Sequence, residues 1–324
     1  MERELLIGMI EGSDLDGLVR MVDRLSTAGE WRAVRELIDR CREAVERGKQ
    51  VWGAADYGEY RLARDAPGDI AATVVKLGAG RFAHGPLWEV AASTHTWDEL
   101  APYIDDINLR TSIAQERVLR GEMVPEGELG VLEIPLRPLA WEPVYPVPTY
   151  REDGVDVPGP DLPDLPWVNL GDPVEEIDDP DGCDALLDVV RPWLDESSGR
   201  GQAIAVAGPA EGAIRALGPH RVRAAEIDLA TAVQLMAWAG ATGGAYGRRR
   251  GTPTGRTSAW WALACLLGLE DEWPLDGERL GDEAGDLRWL AWDPGDQVGG
   301  WVYHLAVEDP QEGLAWAVSA VDAR

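Results

Sequence analysis

Residues 243–268 read GGAYGRRRGTPTGRTSAWWALACLLG and join a glycine-rich, arginine-rich loop to an apolar run. The run from Ala259 to Leu267 predicts a buried helix that begins near Thr257. Because unpaired N–H groups and the helix dipole favour anions at a helix start, the stretch predicts an anion site. The candidate ligand-binding residues are Arg248, Arg249, Arg250, Arg256, Thr257 and Tyr246.

The same stretch differs from a nucleotide-binding P-loop. That motif needs four residues between its glycines, a Lys before Ser or Thr, and a preceding strand. Here Gly251 and Gly255 are too close, Arg256 replaces the Lys, and Pro253 lies in the loop. We therefore expect a general site for a phosphate, a carboxylate or an acidic peptide. Pairing of the arginines with acids of the same chain is the competing interpretation.

Composition limits the classes of function. The chain has 324 residues, 58 acidic against 30 basic side chains, and a formal net charge of −28. Such a charge repels nucleic acid and anionic membranes, so we expect neither as a partner. Three isolated cysteines, an N-terminus unlike a secretory signal and the absence of a long apolar run predict a cytoplasmic protein.

Catalytic and metal-binding motifs are missing from the sequence. Its four histidines are scattered, and no G-x-S-x-G, H-E-x-x-H or C-x-x-C pattern occurs. We therefore predict no catalytic residues, no metal site and no cofactor. His304 is the histidine of most interest, because it shares a strand face with Glu308. A histidine at such a position more often has a structural role than a functional one, so we expect His304 to be a core or edge residue of the sheet.

Residues 1–121 predict a helical domain of stacked hairpins. Apolar residues at helical spacing indicate one helix over 15–25, begun by Asp14, and another over 30–45. Shorter helices are predicted over 70–77, 87–92, 97–104 and 111–119. Superposing Trp31 on Trp97 aligns several further residues, which indicates a weak repeat with an offset of 66 residues.

Residues 122–184 predict a proline-rich acidic arm. Prolines interrupt helices and central strands along it, and residues 152–184 contain many acids and no Lys or Arg. The apolar residues of 131–150 indicate that this part lies on the protein. The acidic part could occupy the arginine loop until a partner displaces it.

Residues 185–324 predict an α+β domain, so the fold class of the whole chain is α+β. Strands are expected over 202–207, 221–228, 287–292 and 301–307. Helices are expected over 186–194, 211–217, 229–239, 259–267 and 310–321. The turn DPGDQVGG joins two of the strands into a hairpin.

Four segments of this domain carry a family resemblance. They are GGAYGRRRG, SAWWALACLLGL, LRWLAWDPG and GWVYHLAVEDPQEGLAWA, mainly within residues 230–320. They resemble an uncharacterised actinobacterial family that is defined only as a domain of unknown function. The resemblance implies a coherent structural unit and no activity.

Two functions are compatible with these features. The first is a non-catalytic interaction or scaffold protein, with a protein partner or an acidic ligand at the arginine loop. The second is an enzyme or sensor that holds a phosphorylated small molecule between Arg248 and Thr257. An open pocket with an aromatic wall such as Tyr246 or Trp260 would favour the second, and arginines buried against acids would count against it.

Overall fold

The computed structural model describes residues 2–76, 79, 83–128, 132–295 and 299–323, with side chains from Glu4 onward. The fold is α+β, as the sequence predicts. The chain forms two compact units, and each unit is discontinuous in sequence. Unit 1 comprises Met1–Gly130 and Pro148–Val157, and unit 2 comprises Val131–Val147 and Pro158–Arg324. Residues 122–184 are thus divided between the two units.

Unit 1 is helical and carries one short hairpin. Asp14 accepts a hydrogen bond from the Gly17 N–H and caps the second helix, whose Leu18, Met21, Val22 and Leu25 are buried on one face. The helices are α1 (Glu2–Glu11), α2 (Leu15–Thr27), α3 (Trp31–Glu46), α4 (Trp52–Asp65), α5 (Gly68–Ala71), α6 (Leu87–Thr94), α7 (Trp97–Leu100) and α8 (Ile107–Leu119), followed by strands β1 (Thr149–Tyr150) and β2 (Val155–Asp156).

The two segments that echo each other at an offset of 66 residues have different structures. The first is the long helix α3, whereas the second is the single turn α7 followed by a 3-10 turn over Ala101–Tyr103. Pro102 removes a backbone donor and favours this tight turn over a continuing α-helix. The predicted helix over 70–77 is similarly shortened to α5 and a 3-10 turn over Ala72–Val74.

Over the residues that the structure describes, unit 2 is built on an antiparallel sheet of seven strands in the order β3-β6-β7-β8-β9-β5-β4. Its strands are β3 (Trp167–Asn169), β4 (Glu175–Ile177), β5 (Arg200–Ala207), β6 (Arg221–Ile227), β7 (Arg288–Asp293), β8 (Gly300–Asp309) and β9 (Leu314–Ala323). Its helices are α9 (Pro180–Asp188), α10 (Arg191–Glu196), α11 (Ala210–Ala216), α12 (Leu229–Ala241), α13 (Thr252–Leu266) and α14 (Gly277–Gly285).

The two edge strands come from the proline-rich region. β3 follows Pro166 and pairs with β6 at one edge, and β4 follows Pro173 and pairs with β5 at the other. A strand that begins beside a proline is tolerated at the edge of a sheet, because the proline lacks an N–H and an edge strand needs a partner on one side only. The acidic residues Glu175 and Glu176 therefore lie in the sheet rather than in a linker.

Helices cover both faces of this sheet. Helix α11 packs on one face against Leu290, Trp292 and Ala306. Helices α9 and α12 lie against the strands as well, and α13 packs on both of them. Strands buried on both faces have apolar side chains at consecutive positions, which removes the alternation typical of a half-exposed strand.

The last element is a strand, so the predicted helix over 310–321 is wrong. Strand β9 pairs with β5 on one side and β8 on the other. Its apolar residues mimic helical spacing because both of its faces are buried. The turn before it is fixed by Asp309, which accepts hydrogen bonds from the N–H groups of Gln311 and Glu312.

Helix α13 begins at Thr252, five residues before the predicted start near Thr257. Pro253 lies in its first turn, where a proline costs no helical hydrogen bond. Gly255 is therefore an interior helical residue. A Cβ at that position would lie 2.0 Å from the Ala237 carbonyl oxygen and 2.6 Å from the Ala241 nitrogen, so the glycine allows α12 and α13 to pack closely.

Among the residues that the structure describes, no helix combines the length and the apolar character needed to cross a bilayer.

Replacement of Gly255 by Ala tests the close packing of α12 on α13. The added methyl group meets backbone atoms, which cannot rotate away, so we expect a loss of about 1–3 kcal/mol in the free energy of unfolding measured in urea. The control is Gly285→Ala in α14, where an added Cβ meets no atom within 4 Å. A Gly255→Ala protein as stable as the control would contradict the described packing.

Candidate functional site

The glycine-rich start of residues 243–251 is a tight turn, and the buried Asp322 carboxylate holds it in place. Asp322 is fully buried at the end of β9 and accepts hydrogen bonds from the Ala245 N–H, at 2.6 Å, and the Ser198 hydroxyl, at 3.3 Å. Gly244 has a positive φ of 75°, and a Cβ there would lie 2.1 Å from the Asp322 carboxylate. Glycine is required because the backbone must pass this close to the carboxylate.

A second contact, at Tyr246, also holds this turn, and the Tyr246 ring projects into solvent. The Tyr246 N–H donates to the Ser197 hydroxyl at 2.9 Å, while the Tyr246 side chain is 68% exposed. Backbone N–H groups of Arg250 and Gly251 both donate to the Ala241 carbonyl at the end of α12. Hydrogen bonds within the chain therefore hold this turn in place.

Arg248, Arg249 and Arg250 follow this turn and are half-buried. The Arg250 guanidinium pairs with Glu196 at the end of α10. Arg249 donates to the Thr252 hydroxyl at 3.1 Å, which places it at the first turn of α13. Three predicted site residues thus lie together, and at least one of them already contacts an acid of the same chain.

Arg256, the fourth predicted arginine, lies in the interior of unit 2. Its side chain and that of Glu142 are both fully buried, and they form a two-pronged ion pair with N–O distances of 2.6 Å. The remaining donors of Arg256 reach the carbonyl oxygens of Pro135, at 2.7 Å, and Arg137, at 3.4 Å. Arg256 therefore binds the proline-rich segment of its own chain rather than an external anion.

The Glu142 carboxylate is surrounded by donors. It accepts from the Tyr145 hydroxyl at 2.5 Å, the Trp260 indole N–H at 3.1 Å and the Leu139 N–H at 2.8 Å, in addition to Arg256. Burial acts to raise the pKa of Glu142, but the hydrogen bonds and charge of Arg256 outweigh burial and keep that pKa below its usual value. The pair is therefore charged, and its desolvation is offset by a complete set of hydrogen bonds.

These contacts fix residues 132–147, which contain neither helix nor strand, on α13 and α14. The Trp141 indole N–H donates to the Gly277 carbonyl oxygen at 2.9 Å, and its ring packs on the Trp260 ring at a centroid distance of 5.1 Å. The sequence expectation that 131–150 lies on the protein therefore holds for the described part of it in unit 2. We call this segment, residues 132–147, the clamped segment.

Thr257 lines a cavity of about 250 Å³. The outer face of α13 supplies one wall through Thr254, Thr257, Ser258 and Trp261. Trp273, Asp188, Val189 and Glu133 of the clamped segment complete the lining. Thr257 is thus separated from Arg256 by the helix itself, since residues next to each other in a helix point in different directions.

The hydroxyl groups of this cavity already donate their protons to the helix. Thr254, Thr257 and Ser258 each donate to the carbonyl four residues earlier, at 3.1, 3.2 and 3.1 Å. Each oxygen therefore offers only its acceptor side to the cavity. A phosphate requires donors, so the geometry does not favour the predicted use of Thr257 in anion binding.

Several residues of the site were not found from the sequence. Glu142 is 114 positions from Arg256, and a charged residue within a proline-rich segment has no local signal of being buried. Asp322 directly follows the segment 310–321 that was predicted as a helix, so the sequence did not predict its position beside the loop. Trp273 follows Trp261 after the rest of α13 and a short acidic turn, and sequence spacing cannot show that their rings meet.

His304 is a buried residue of the sheet. It is 5% exposed and stacks on the Trp292 ring at a centroid distance of 4.5 Å. Burial lowers the pKa of His304 to about 4, although the nearby Asp293 charge acts to raise it. Glu308 lies four residues further along β8 and so on the same face as His304, as predicted, and it accepts from Arg288 at 2.9 Å and from the Ala210 N–H.

Within the described part of the chain, no group of three or more His, Cys, Asp or Glu side chains is arranged to share a metal ion. This includes the acids around Asp179, one of which caps α9 and accepts from the Trp316 indole. Asp179 thus has structural partners within unit 2.

The fold and the site describe an α+β protein with a helical unit and a sheet unit that presents a fixed arginine-rich loop. A family of unknown function, DUF6183, matches residues 16–323. The chain belongs to this family, and the match covers nearly its whole length rather than mainly residues 230–320. A search of curated proteins and a search of solved structures found no match.

Replacement of Arg256 by Met tests the ion pair. The variant leaves the Glu142 carboxylate buried without its cationic partner, so we expect a loss of about 3–5 kcal/mol in the free energy of unfolding. The double variant Arg256→Met, Glu142→Leu should recover part of this loss, because it removes the buried unpaired charge but leaves the Tyr145, Trp260 and Leu139 donors without their acceptor. The control is Arg279→Met in α14, which breaks exposed ion pairs and should change stability little. Equal effects of the two Arg→Met changes would contradict the account.

His304 predicts a pH dependence of stability. Its pKa falls from an ordinary 6.5 to about 4 on folding, so its stabilising contribution is complete above pH 6.5 and is lost as the pH falls towards 4. Because a pKa difference of 1 corresponds to about 1.36 kcal/mol, the free energy of unfolding that is lost over this pH range is about 3 kcal/mol. Urea titrations at a series of pH values from 7 to 5 give the free energy of unfolding as a function of pH. This free energy should fall less steeply with decreasing pH in His304→Gln than in the exposed control His220→Gln. Equal slopes would contradict it.

Proposed function

We propose that this protein is a non-catalytic interaction protein that recognises an acidic segment of a partner protein with its arginine loop, residues 243–251. The observation that carries the proposal is the anchoring of the loop. Asp322 and Ser197 accept its backbone N–H groups, and the Ala241 carbonyl fixes its end. A loop held in one conformation loses little conformational entropy when a partner binds.

The side chains of the loop suit an acidic peptide. Arg248, Arg249 and Arg250 carry planar guanidinium groups whose geometry matches carboxylates, and a partner carboxylate competes with contacts such as that of Arg249 with Thr252. The exposed Tyr246 ring offers contact area in the same loop. The Arg250–Glu196 pair is about two-fifths exposed on both sides, so a partner carboxylate can compete for the guanidinium at moderate cost. A partner would gain these contacts without rearranging the buried Arg256.

The positive charge of the arginine loop lies within a strongly negative chain, and this contrast supports selectivity among acidic partners. A net charge of −28 repels most acidic molecules at long range. An acidic partner must therefore engage the loop closely, where charge-assisted hydrogen bonds form within one Debye length. The same field disfavours nucleic acid, whose phosphates extend beyond one loop.

A cytoplasmic location is part of the proposal. Cys41, Cys183 and Cys265 are unpaired thiols in the structure. Burial raises the pKa of each of them to about 11, which keeps them protonated and unreactive. Thiols without a disulfide role are typical of a reducing compartment.

The alternative function, an enzyme or sensor for a phosphorylated small molecule, has less support. It requires Arg256 and Thr257 beside the other arginines. Arg256 is committed to Glu142, and the Thr257 hydroxyl donates to the Pro253 carbonyl. The remaining arginines could still bind a phosphate, and the experiment below separates that outcome.

The test is calorimetric titration with a hexaglutamate peptide, and in parallel with inorganic pyrophosphate. We expect hexaglutamate to bind the unaltered protein and the double variant Arg248→Ala, Arg249→Ala to bind it about tenfold more weakly or worse, because each lost charged hydrogen bond is worth about 1.5–3 kcal/mol. Affinity should also fall as salt rises.

The matched control is Arg32→Ala, Arg47→Ala, which removes the same charge from exposed positions of unit 1. Equal losses in the two double variants would show that binding follows net charge alone and would contradict the proposal. Pyrophosphate binding that depends on Arg248 and Arg249, without hexaglutamate binding, would favour the phosphorylated small molecule.

A further inference from the structure

We propose that the cavity on the outer face of α13 binds a methylated organic ammonium ion, a small cation of the choline type. This site is separate from the arginine loop and does not depend on the function proposed for that loop. It is lined by Thr254, Thr257, Ser258, Trp261, Trp273, Val189, Asp188 and Glu133. We call it the α13 cavity.

Two tryptophans form perpendicular walls. The rings of Trp261 and Trp273 lie with their centroids 5.4 Å apart and their planes at 87°. Both rings are half-buried. The face of an indole ring carries negative electrostatic potential and attracts cations, and aromatic walls at an angle are the recurrent way in which proteins hold quaternary ammonium groups. No arginine is stacked on either ring among the contacts described.

The polar groups of the lining also favour a cation. The three hydroxyl groups donate to helix carbonyls, so they present acceptor oxygens. Glu133 and Asp188 add carboxylates. Apart from the two indole N–H groups, the polar side chains among the described residues of this lining are acceptors or anions. A phosphate or a carboxylate would find few donors there, whereas an ammonium ion finds complementary charge.

The Arg191 guanidinium lies close to the lining. Arg191 pairs with Asp188, and both of its hydrogen bonds, at 2.9 and 2.5 Å, go to the same oxygen, Oδ1. This pair is about half-exposed and reduces the negative charge that Asp188 contributes. Glu133 is therefore the carboxylate that we expect to matter most for the affinity.

The size of the cavity suits a small ligand. About 250 Å³ accommodates a trimethylammonium group and a short hydroxylated chain, and lies below the range usual for larger drug-like ligands. Methyl groups fit the apolar corner between the rings, because a bulky quaternary ion is weakly hydrated and loses little on entering it. A ligand hydroxyl can donate to Thr254, Thr257 or Ser258.

A second aromatic cavity, in unit 1, is a weaker candidate. It measures about 90 Å³ and is lined by Trp52, Tyr57, Tyr60 and Asp56 among others. The protein's own guanidinium groups already lie over two of these rings, Arg61 over Tyr57 and Arg64 over Tyr60, each at 5.8 Å. The cation that these rings attract is thus supplied within the chain.

The experiment is calorimetric titration of the full-length protein with choline, with 3,3-dimethylbutan-1-ol and with glycine betaine. The second probe has the shape of choline without its charge, and the third adds a carboxylate. We expect choline to bind, the neutral isostere to bind at least about tenfold more weakly, and betaine to bind more weakly than choline because Glu133 and Asp188 repel its carboxylate.

Variants locate the site. Trp273→Leu should weaken choline binding about tenfold, and the exposed Glu133→Gln, which leaves the packing of the rings intact, should weaken it severalfold. The matched control is Trp167→Leu on β3, a ring that is 51% exposed and covered by Arg221. Circular dichroism of each variant establishes that it is folded.

Three results would overturn the proposal. The first is equal affinity for choline and its neutral isostere, which would indicate an apolar pocket without cation recognition. The second is choline binding that survives Glu133→Gln and Trp273→Leu but is lost in Trp52→Leu, which would place the site in unit 1. The third is no choline binding to the folded, unaltered protein at millimolar concentration.

Discussion

The structure of unit 2 depends on one buried ion pair, Arg256 with Glu142. Removing two charges from water is expensive, and the Coulomb attraction between them offsets that cost only when every donor and acceptor is satisfied. Here five donor groups converge on Glu142, and Arg256 uses its remaining donors on carbonyl oxygens of the clamped segment. A segment without helix or strand thereby acquires a fixed path.

Fixing that path has consequences on both sides of α13. On the inner side, Trp141 is held against Trp260 and Gly277. On the outer side, Glu133 of the same segment reaches the α13 cavity. The helix therefore connects two environments of opposite character. The guanidinium groups of the arginine loop lie before its first turn, and along its outer face the hydroxyl oxygens, carboxylates and indole rings present negative potential.

Local patterns in the sequence were sufficient to predict many elements and insufficient for others. The stripe of α2 and its Asp14 cap are encoded within one helix, and the structure has both. β9 was predicted as a helix because a strand buried on two faces loses its alternation. Runs of apolar residues of this kind do not distinguish a strand from a helix without knowledge of the neighbouring strands.

The candidate site was predictable only in part, for a similar reason. Four arginines in one short stretch indicate a local concentration of charge, and three of them do lie together. Whether a given arginine faces solvent depends on residues far away in sequence, and Arg256 is buried because Glu142 lies 114 positions before it. The α13 cavity likewise needs Trp273 and Glu133, which approach α13 only in the folded unit.

The most direct test of the central claim is hydrogen–deuterium exchange by mass spectrometry on the unaltered protein and on Arg256→Met. If Arg256 holds the clamped segment on α13, peptides from residues 132–147 should lose protection in the variant, including the Leu139 amide that donates to Glu142. Peptides from β8 and β9 should keep theirs. Unchanged protection of residues 132–147 in a variant that is folded would contradict the account.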